Sequence, residues 1–200
     1  MLYNSKEYVV RVSISVMARV PYVTEDDLNP NYRDLITSSL QPGKTVNVYS
    51  SIGNNQEVLG GLREFLGTLW DYSGLTDRQR ELVILTAASE INSEYEWHQH
   101  VNIATSTDFD LEEIDAIGRD DRSPFSNEEQ VLVAYTRAVV RGRVTDTLHE
   151  AMQNYFEIDT IAGTASVAAG YVALGRVIDA LGVEIEADDE FVGWAPSTND

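Results

Sequence analysis

The chain has 200 residues, of which 33 are acidic and 14 are basic, so its formal net charge at pH 7 is −19. Binding to nucleic acid requires a basic surface that meets phosphates, and an anionic membrane surface repels a chain of this sign, so neither is expected as a partner. With 43% hydrophobic residues, the chain is too apolar for a disordered acidic tail and long enough for one domain with its own core.

The chain contains no cysteine. This excludes disulfides, thiolate metal sites and every redox mechanism that uses a thiol. No segment reaches the roughly 18 uninterrupted apolar residues of a membrane span. Residues 1–16 also lack the layout of a signal peptide. We therefore predict a cytoplasmic protein.

The acidic excess is combined with only two lysines, Lys6 and Lys44. Many carboxylates and few lysines are typical of proteins that stay hydrated in concentrated salt, where charge repulsion is screened. This composition predicts a halophilic source, and an ordinary acidic cytosolic enzyme is the alternative. Residues 1–16 carry a net charge of +1 instead, and Met17 follows them. We expect residues 1–16 to be a non-native or disordered extension, with Met17 as the true start; a short edge strand is the alternative.

The first predicted elements are short. Thr24 is expected to cap a turn of helix at residues 25–27, and a short helix over 32–40 follows the break at Pro30. Residues 41–56 are rich in Gly, Ser, Asn and Pro and are predicted to be a loop. Apolar residues at helical spacing from 58 to 70 then predict a helix, which ends at Ser73 and Gly74.

The rest of the chain also has helical patterns. Capping boxes at Thr76 and Ser93 predict a fully buried helix through residue 88 and another helix to about residue 106. Further helices are predicted at four places: from residue 110, over 126–140, over 145–156, and over 159–181. The sequence thus predicts an all-α domain over residues 17–185, followed by an acidic tail over 186–200.

Glu81, Glu96 and His100 are the candidate catalytic residues. Glu96 and His100 are four residues apart on one helix face, whereas His98 points to the opposite side. Glu81 begins the buried helix and needs a partner, so we expect it to orient His100, which would move protons near neutral pH. Glu96 is expected to be kept ionised by the positive end of its helix.

Structural roles remain open for all three residues. Glu96 could be only the capping partner of Ser93, Glu81 could pair with Arg78 or Arg80 at the surface, and His100 could be a structural histidine. A metal site is not predicted, because Glu96 and His100 supply two ligands and no third is suitably spaced. The sequence also has no phosphate-binding glycine loop, and we predict no cofactor.

Three features together resemble the carboxymuconolactone decarboxylase family, which includes the alkylhydroperoxidase D branch. They are Arg80-Glu81-Leu82 with Ile84-Leu85, Tyr95-Glu96-Trp97 with His100, and the Ala- and Gly-rich C-terminal helix. The resemblance implies an alkylhydroperoxidase D-like helical fold that forms homotrimers or homohexamers. In the peroxidase branch, a Glu and a His flank a Cys-x-x-Cys pair in one proton relay. Those positions correspond here to Glu81 and His100, with Ser93 and Glu96 in place of the cysteines.

The resemblance implies a decarboxylase that acts without a cofactor on a carboxylated lactone or a related small acid in the breakdown of aromatic compounds. His100 would donate the proton and Glu81 would orient it, with Glu96 as a further acid–base group. Arg80, Trp97 and Ser93 are the candidate substrate-binding residues, with Arg80 expected to hold the carboxylate. A thiol peroxidase is excluded because there is no cysteine. The alternatives are a lactone or enol isomerase or hydrolase, and a non-catalytic oligomer that binds a small ligand.

Overall fold

The structure is a computed structural model that describes residues 18–37, 44–187 and 189. The expectations for residues 1–16 and for most of the tail lie outside these residues. The described residues form two short 3₁₀ helices, Glu25–Asp27 and Pro30–Ile36, and α-helices that pack into one bundle. The α-helices are α1 Asn47–Ile52, α2 Gln56–Tyr72, α3 Asp77–Ile91, α4 Glu94–Ala104, α5 Leu111–Gly118, α6 Asn127–Val140, α7 Asp146–Gln153 and α8 Ile158–Leu181.

The predicted all-α fold class is confirmed, and most helices begin at the predicted caps. Complete capping boxes open α3 at Thr76, α5 at Asp110 and α6 at Ser126. The Ser93 hydroxyl, by contrast, makes no capping hydrogen bond at the start of α4. It is buried there instead, so the capping interpretation of Ser93 and Glu96 is wrong.

Helix α3 is the centre of the bundle and packs against α4, α5, α6 and α8. Every residue from Glu81 to Ala88 is fully buried, as the lack of a polar face predicts. Asn92 ends α3 in the left-handed conformation, with φ of 55°. This conformation is accessible to asparagine, and it turns the chain directly into α4. The two helices therefore lie side by side.

Helix α8 has the length and the mean hydropathy of a membrane span, with a value of 1.4 over its most apolar window. Half of that window is buried inside the fold, where α8 packs against α2, α3 and α6. These are the properties of the core helix of a folded domain. Its glycines permit close approach: a Cβ atom on Gly163 would lie 2.7 Å from the carbonyl carbon of Ser73.

Two segments differ from the prediction. Residues 47–52 form α1 within the predicted loop, with Ser50 and Ser51 buried. The short, polar sequence of α1 hides this, because tertiary packing rather than helix propensity stabilises a six-residue helix. Glu186, assigned to the acidic tail, is also buried. Its carboxylate accepts hydrogen bonds from the backbone N–H of Asn47 at 2.8 Å, the Tyr95 hydroxyl at 2.7 Å and the Gln99 side chain at 2.5 Å.

Candidate active site

A cavity of about 300 Å³ lies between α1, α2, α4 and α8. Its walls are apolar and aromatic, with rings from Tyr49, Trp70, Tyr95 and Tyr171. Its polar side chains are Arg63, Asp71, Glu96, Gln99 and His100. The volume is at the small end for ligand sites, and apolar walls with a few polar groups are typical of them.

His100 and Glu81 meet at this cavity. The Nδ1 atom of His100 lies 2.8 Å from Oε2 of Glu81, and Glu81 is fully buried. Helices α3 and α4 supply one residue each, so the left-handed turn at Asn92 brings the two together. The rings of Tyr171 and Trp70 flank the imidazole, with centroids 5.0 Å and 6.5 Å away. The contact predicted between Glu81 and His100 is therefore present.

The alternative partners of Glu81 are occupied elsewhere. Arg78 binds Glu113 at 2.5 Å and Glu129 at 2.8 Å. The Arg80 guanidinium lies 2.6 Å from Oδ1 of Asp77. The surface pairing considered for Glu81 is therefore not formed.

Glu96 also lines the cavity and is only 2% exposed. Neither carboxylate oxygen has a hydrogen-bond partner among the described residues. Burial raises the pKa of Glu96 to about 8, and the nearby Ser93 hydroxyl opposes this rise with a smaller effect. The expectation that the helix terminus keeps Glu96 ionised is wrong, because loss of solvation outweighs the helix dipole at this depth.

The space for Glu96 comes from the absence of a side chain on α8. A Cβ atom on Gly175 would lie 2.7 Å from Oε2 of Glu96, and it would also overlap the side chain of Ile91. A larger residue at this position would require the ends of the Glu96 and Ile91 side chains to shift.

The three candidate substrate-binding residues do not line the cavity. Arg80 donates to the Trp70 carbonyl oxygen at 3.1 Å and to Asp77, and its guanidinium stacks on the Trp70 ring at 3.9 Å. Trp97 and Ser93 are buried in the bundle, at 1% and 8% exposure. These positions suit packing roles, because a side chain enclosed by its neighbours cannot contact a ligand in the cavity.

Sequence reasoning missed three polar lining residues: Arg63, Asp71 and Gln99. Arg63 lies on α2, with its guanidinium 4.2 Å from the centre of the Tyr49 ring. No motif marks it, since a polar residue on an amphipathic helix ordinarily faces solvent. Arg63 becomes a candidate only once α1 and α2 are seen to form the cavity wall.

His98 points away from the cavity, as its spacing predicts. Its Nε2 atom lies 3.5 Å from Oδ2 of Asp189. Within the part of the chain that the structure describes, no group of three His, Asp or Glu side chains could hold a metal ion. The cavity therefore offers acid–base groups and one arginine among its described residues.

Comparison with known protein families gives a match over part of the chain. The model of the carboxymuconolactone decarboxylase family matches residues 56–138, the segment that holds α2 to α4 with Glu81, Glu96 and His100. No curated protein matches the chain.

Several solved structures share the fold. A peroxidase-related protein with an alkylhydroperoxidase AhpD core, from Ralstonia eutropha JMP134, is 15% identical over 86% of this chain and 93% of its own, with a TM-score of 0.77. A variant of the debrominase Bmp8, in complex with 2,3,4-tribromopyrrole, is 16% identical over 84% of this chain and 91% of its own, with a TM-score of 0.71. A peroxidase-related protein from Silicibacter sp. TM1040 is 17% identical over 86% of this chain and 96% of its own, with a TM-score of 0.68.

Proposed function

We propose that this chain, whose residues 56–138 match the model of the carboxymuconolactone decarboxylase family, is an acid–base enzyme acting on a small carboxylated lactone or a related acid. The reaction is decarboxylation. The observation that carries the proposal is the buried contact between His100 and Glu81 at the wall of a ligand-sized cavity.

The pair assigns a role to each ring nitrogen of His100. Because Nδ1 faces the Glu81 carboxylate, Nε2 is the nitrogen through which His100 acts on a ligand. A carboxylate at this position fixes the tautomer and the orientation of the imidazole and stabilises its protonated form. Glu81 is thus a positioning residue, and His100 is the proton donor.

Glu96 supplies the second acid–base group. At neutral pH its raised pKa keeps the carboxyl group protonated, so it can donate a hydrogen bond to an oxygen atom that gains negative charge. A protonated Glu96 therefore fits hydrogen-bond donation, whereas repulsion of the substrate carboxylate would require an ionised Glu96.

The proposed step conserves atoms and electrons. The bond between the ring carbon and the carboxylate carbon breaks, and CO₂ leaves. The electron pair passes into the lactone carbonyl group to give a dienolate, whose oxygen accepts a hydrogen bond from Glu96. Carbon then takes a proton from His100, which regains one from solvent. Only side chains of this protein take part.

A thiol peroxidase mechanism is not possible for this chain, because it has no cysteine. The two positions that correspond to the cysteines of the peroxidase branch hold Ser93, which is buried away from the cavity, and Glu96. The family resemblance therefore supports the acid–base branch of its chemistry.

The test is turnover of 4-carboxymuconolactone by the full chain in concentrated KCl, measured as loss of substrate and release of CO₂. We expect turnover in the parent and a fall of about 10²- to 10⁴-fold in His100→Gln. His149→Gln is the matched control, because His149 lies on α7 beside Tyr135 and not at the cavity.

Failure of the parent to decarboxylate this lactone would overturn the named substrate. Conversion without release of CO₂ would instead favour a lactone isomerase or hydrolase. An undiminished rate in His100→Gln would remove His100 from the mechanism.

We also propose that the chain assembles as a homotrimer or a homohexamer. Val58, Phe65 and Tyr72 recur at seven-residue spacing on α2 and are 55%, 45% and 80% exposed. An exposed apolar stripe of this kind suits a subunit contact. The mass in solution, measured by light scattering, tests this proposal, and a monomer would contradict it.

A further inference from the structure

A charged ligand in this cavity needs a local cation. The chain carries a net charge of −19, so its long-range field repels an anion. Among the described residues that line the cavity, Arg63 is the single Lys or Arg, and Asp71 and Glu96 are the carboxyl groups. Arg63 is therefore the described lining residue whose charge can attract a carboxylate.

Arg63 and Arg80 differ in where their guanidinium groups lie. Arg80 is 5% exposed, and Asp77 and the Trp70 carbonyl oxygen bind its N–H groups away from the cavity. Arg63 is half-buried on the cavity wall, where Tyr49 meets the face of its guanidinium. A carboxylate binds at the N–H edge of a guanidinium, so stacking on its face is compatible with a bound anion.

The walls define the shape of the ligand. Tyr49, Trp70, Tyr95 and Tyr171 present four aromatic rings around about 300 Å³. Such a space suits one planar ring with a short substituent. Glu96 lies on the α4 side of the cavity, and burial raises its pKa to about 8, so the group is mostly protonated at neutral pH and adds little repulsion there.

The geometry points to Arg63 as the residue that anchors one carboxylate of the ligand, and to a small acid built on one planar ring as the ligand class. This deepens the proposed function and rests on it for the reaction, whereas binding can be measured without turnover. Helix α2 thus holds the carboxylate, and α4 supplies the acid–base groups His100 and Glu96.

The test uses benzoate as the probe and benzamide as its uncharged analogue, at fixed ionic strength, with the full chain. Binding is followed by calorimetry and by the intrinsic tryptophan fluorescence, to which Trp70 in the cavity wall contributes. We expect the parent to bind benzoate more tightly than benzamide. We expect Arg63→Gln to weaken benzoate about 10- to 100-fold, since a charge-assisted hydrogen bond is lost, and to leave benzamide unchanged.

Arg143→Gln is the matched control, because Arg143 is exposed in the loop between α6 and α7. It should bind both probes as the parent does. Arg63→Lys keeps the charge but loses the two-pronged geometry, so its benzoate affinity should fall between those of the parent and Arg63→Gln. If Arg63→Gln does not fold, the ratio of the benzoate and benzamide affinities can still be measured in the lysine variant.

The inference is overturned if the parent does not bind benzoate, if it shows no preference over benzamide, or if Arg63→Gln retains that preference. His100→Gln separates this outcome from failure of the proposed reaction. Tight benzoate binding in both the parent and His100→Gln, with no turnover of the lactone in either, would support Arg63 as the anchor and refute the proposed decarboxylation.

Discussion

The Nδ1 atom of His100 lies 2.8 Å from Oε2 of Glu81, across the contact between α4 and α3. The carboxylate is fully buried, and its other oxygen has no hydrogen-bond partner among the described residues. A buried carboxylate with one partner depends strongly on that partner, because removing it leaves the charge uncompensated.

This pair should be energetically coupled. We expect Glu81→Gln and His100→Gln each to lower the free energy of unfolding by about 1–3 kcal/mol. The double variant should lose less than the sum, with a coupling energy of about 0.5–3 kcal/mol. Urea unfolding of the four proteins measures this, and strictly additive losses would show that the two side chains do not interact.

Glu96 should give the protein a pH-dependent stability. Burial raises its pKa from the ordinary 4.5 to about 8 in the folded state, so between these values the folded state retains a proton that the unfolded chain releases. Its contribution to stability is present in full below pH 4.5 and is lost as the pH rises to about 8. The slope is at most about 1.4 kcal/mol per pH unit.

Glu96→Gln removes that titration, so the stability difference between parent and variant should change from pH 5 to pH 8 and then level off. Unfolding in urea at several pH values measures the difference. Tyr171 on α8 and Ser93, the residue before α4, interact with Glu96 and stay the same in both proteins. Glu94→Gln, on the exposed side of the same turn, is the control, and an equal pH dependence in both variants would refute the assignment.

Replacing Gly163 or Gly61 by alanine should change the stability of the fold in opposite directions. A Cβ atom on Gly163 meets the backbone of Ser73, so Gly163→Ala should destabilise the fold by about 1–3 kcal/mol through overpacking. A Cβ atom on Gly61 meets nothing within 4 Å, so Gly61→Ala should stabilise α2 by about 0.5–1 kcal/mol. Thermal unfolding of both variants checks this, and a melting temperature that moves the same way in both would contradict the described packing.

Glu186 should stabilise the cavity wall. Its carboxylate accepts hydrogen bonds from the Asn47 amide and from the side chains of Tyr95 and Gln99, which both line the cavity. Glu186→Ala should therefore cost about 2–4 kcal/mol of unfolding free energy. Asp189→Asn is the comparison, because Asp189 pairs with Lys44 nearer the surface and should cost about 1 kcal/mol or less. Equal losses would argue against a special role for Glu186.

The sequence predicted the fold where the local signal and the packing agree. Helix α3 has both a capping box at Thr76 and an apolar pattern without a polar face, and its position at the centre of the bundle follows. The contact between Glu81 and His100 was predictable because a carboxylate within such a helix needs a partner close by.

The rest depends on contacts between distant segments. Helix α1 is too short and polar to be predicted, and without it the cavity wall that includes Arg63 and Tyr49 does not exist. The ionisation of Glu96 was predicted wrongly, because the helix dipole is visible in the sequence and the depth of burial is not. Arg80 was predicted to hold the carboxylate because it is next to Glu81 along the chain, whereas no sequence signal marks Arg63 on α2, the helix that borders the cavity.

The contact between Gly175 and Glu96 links two positions that lie on different helices. A side chain at position 175 would meet the end of the Glu96 side chain and displace its carboxyl group from where it lies. In related sequences, residues larger than glycine at the position of 175 should therefore occur with residues shorter than glutamate at the position of 96. The acidic group in the cavity and the glycine on the core helix should be conserved together.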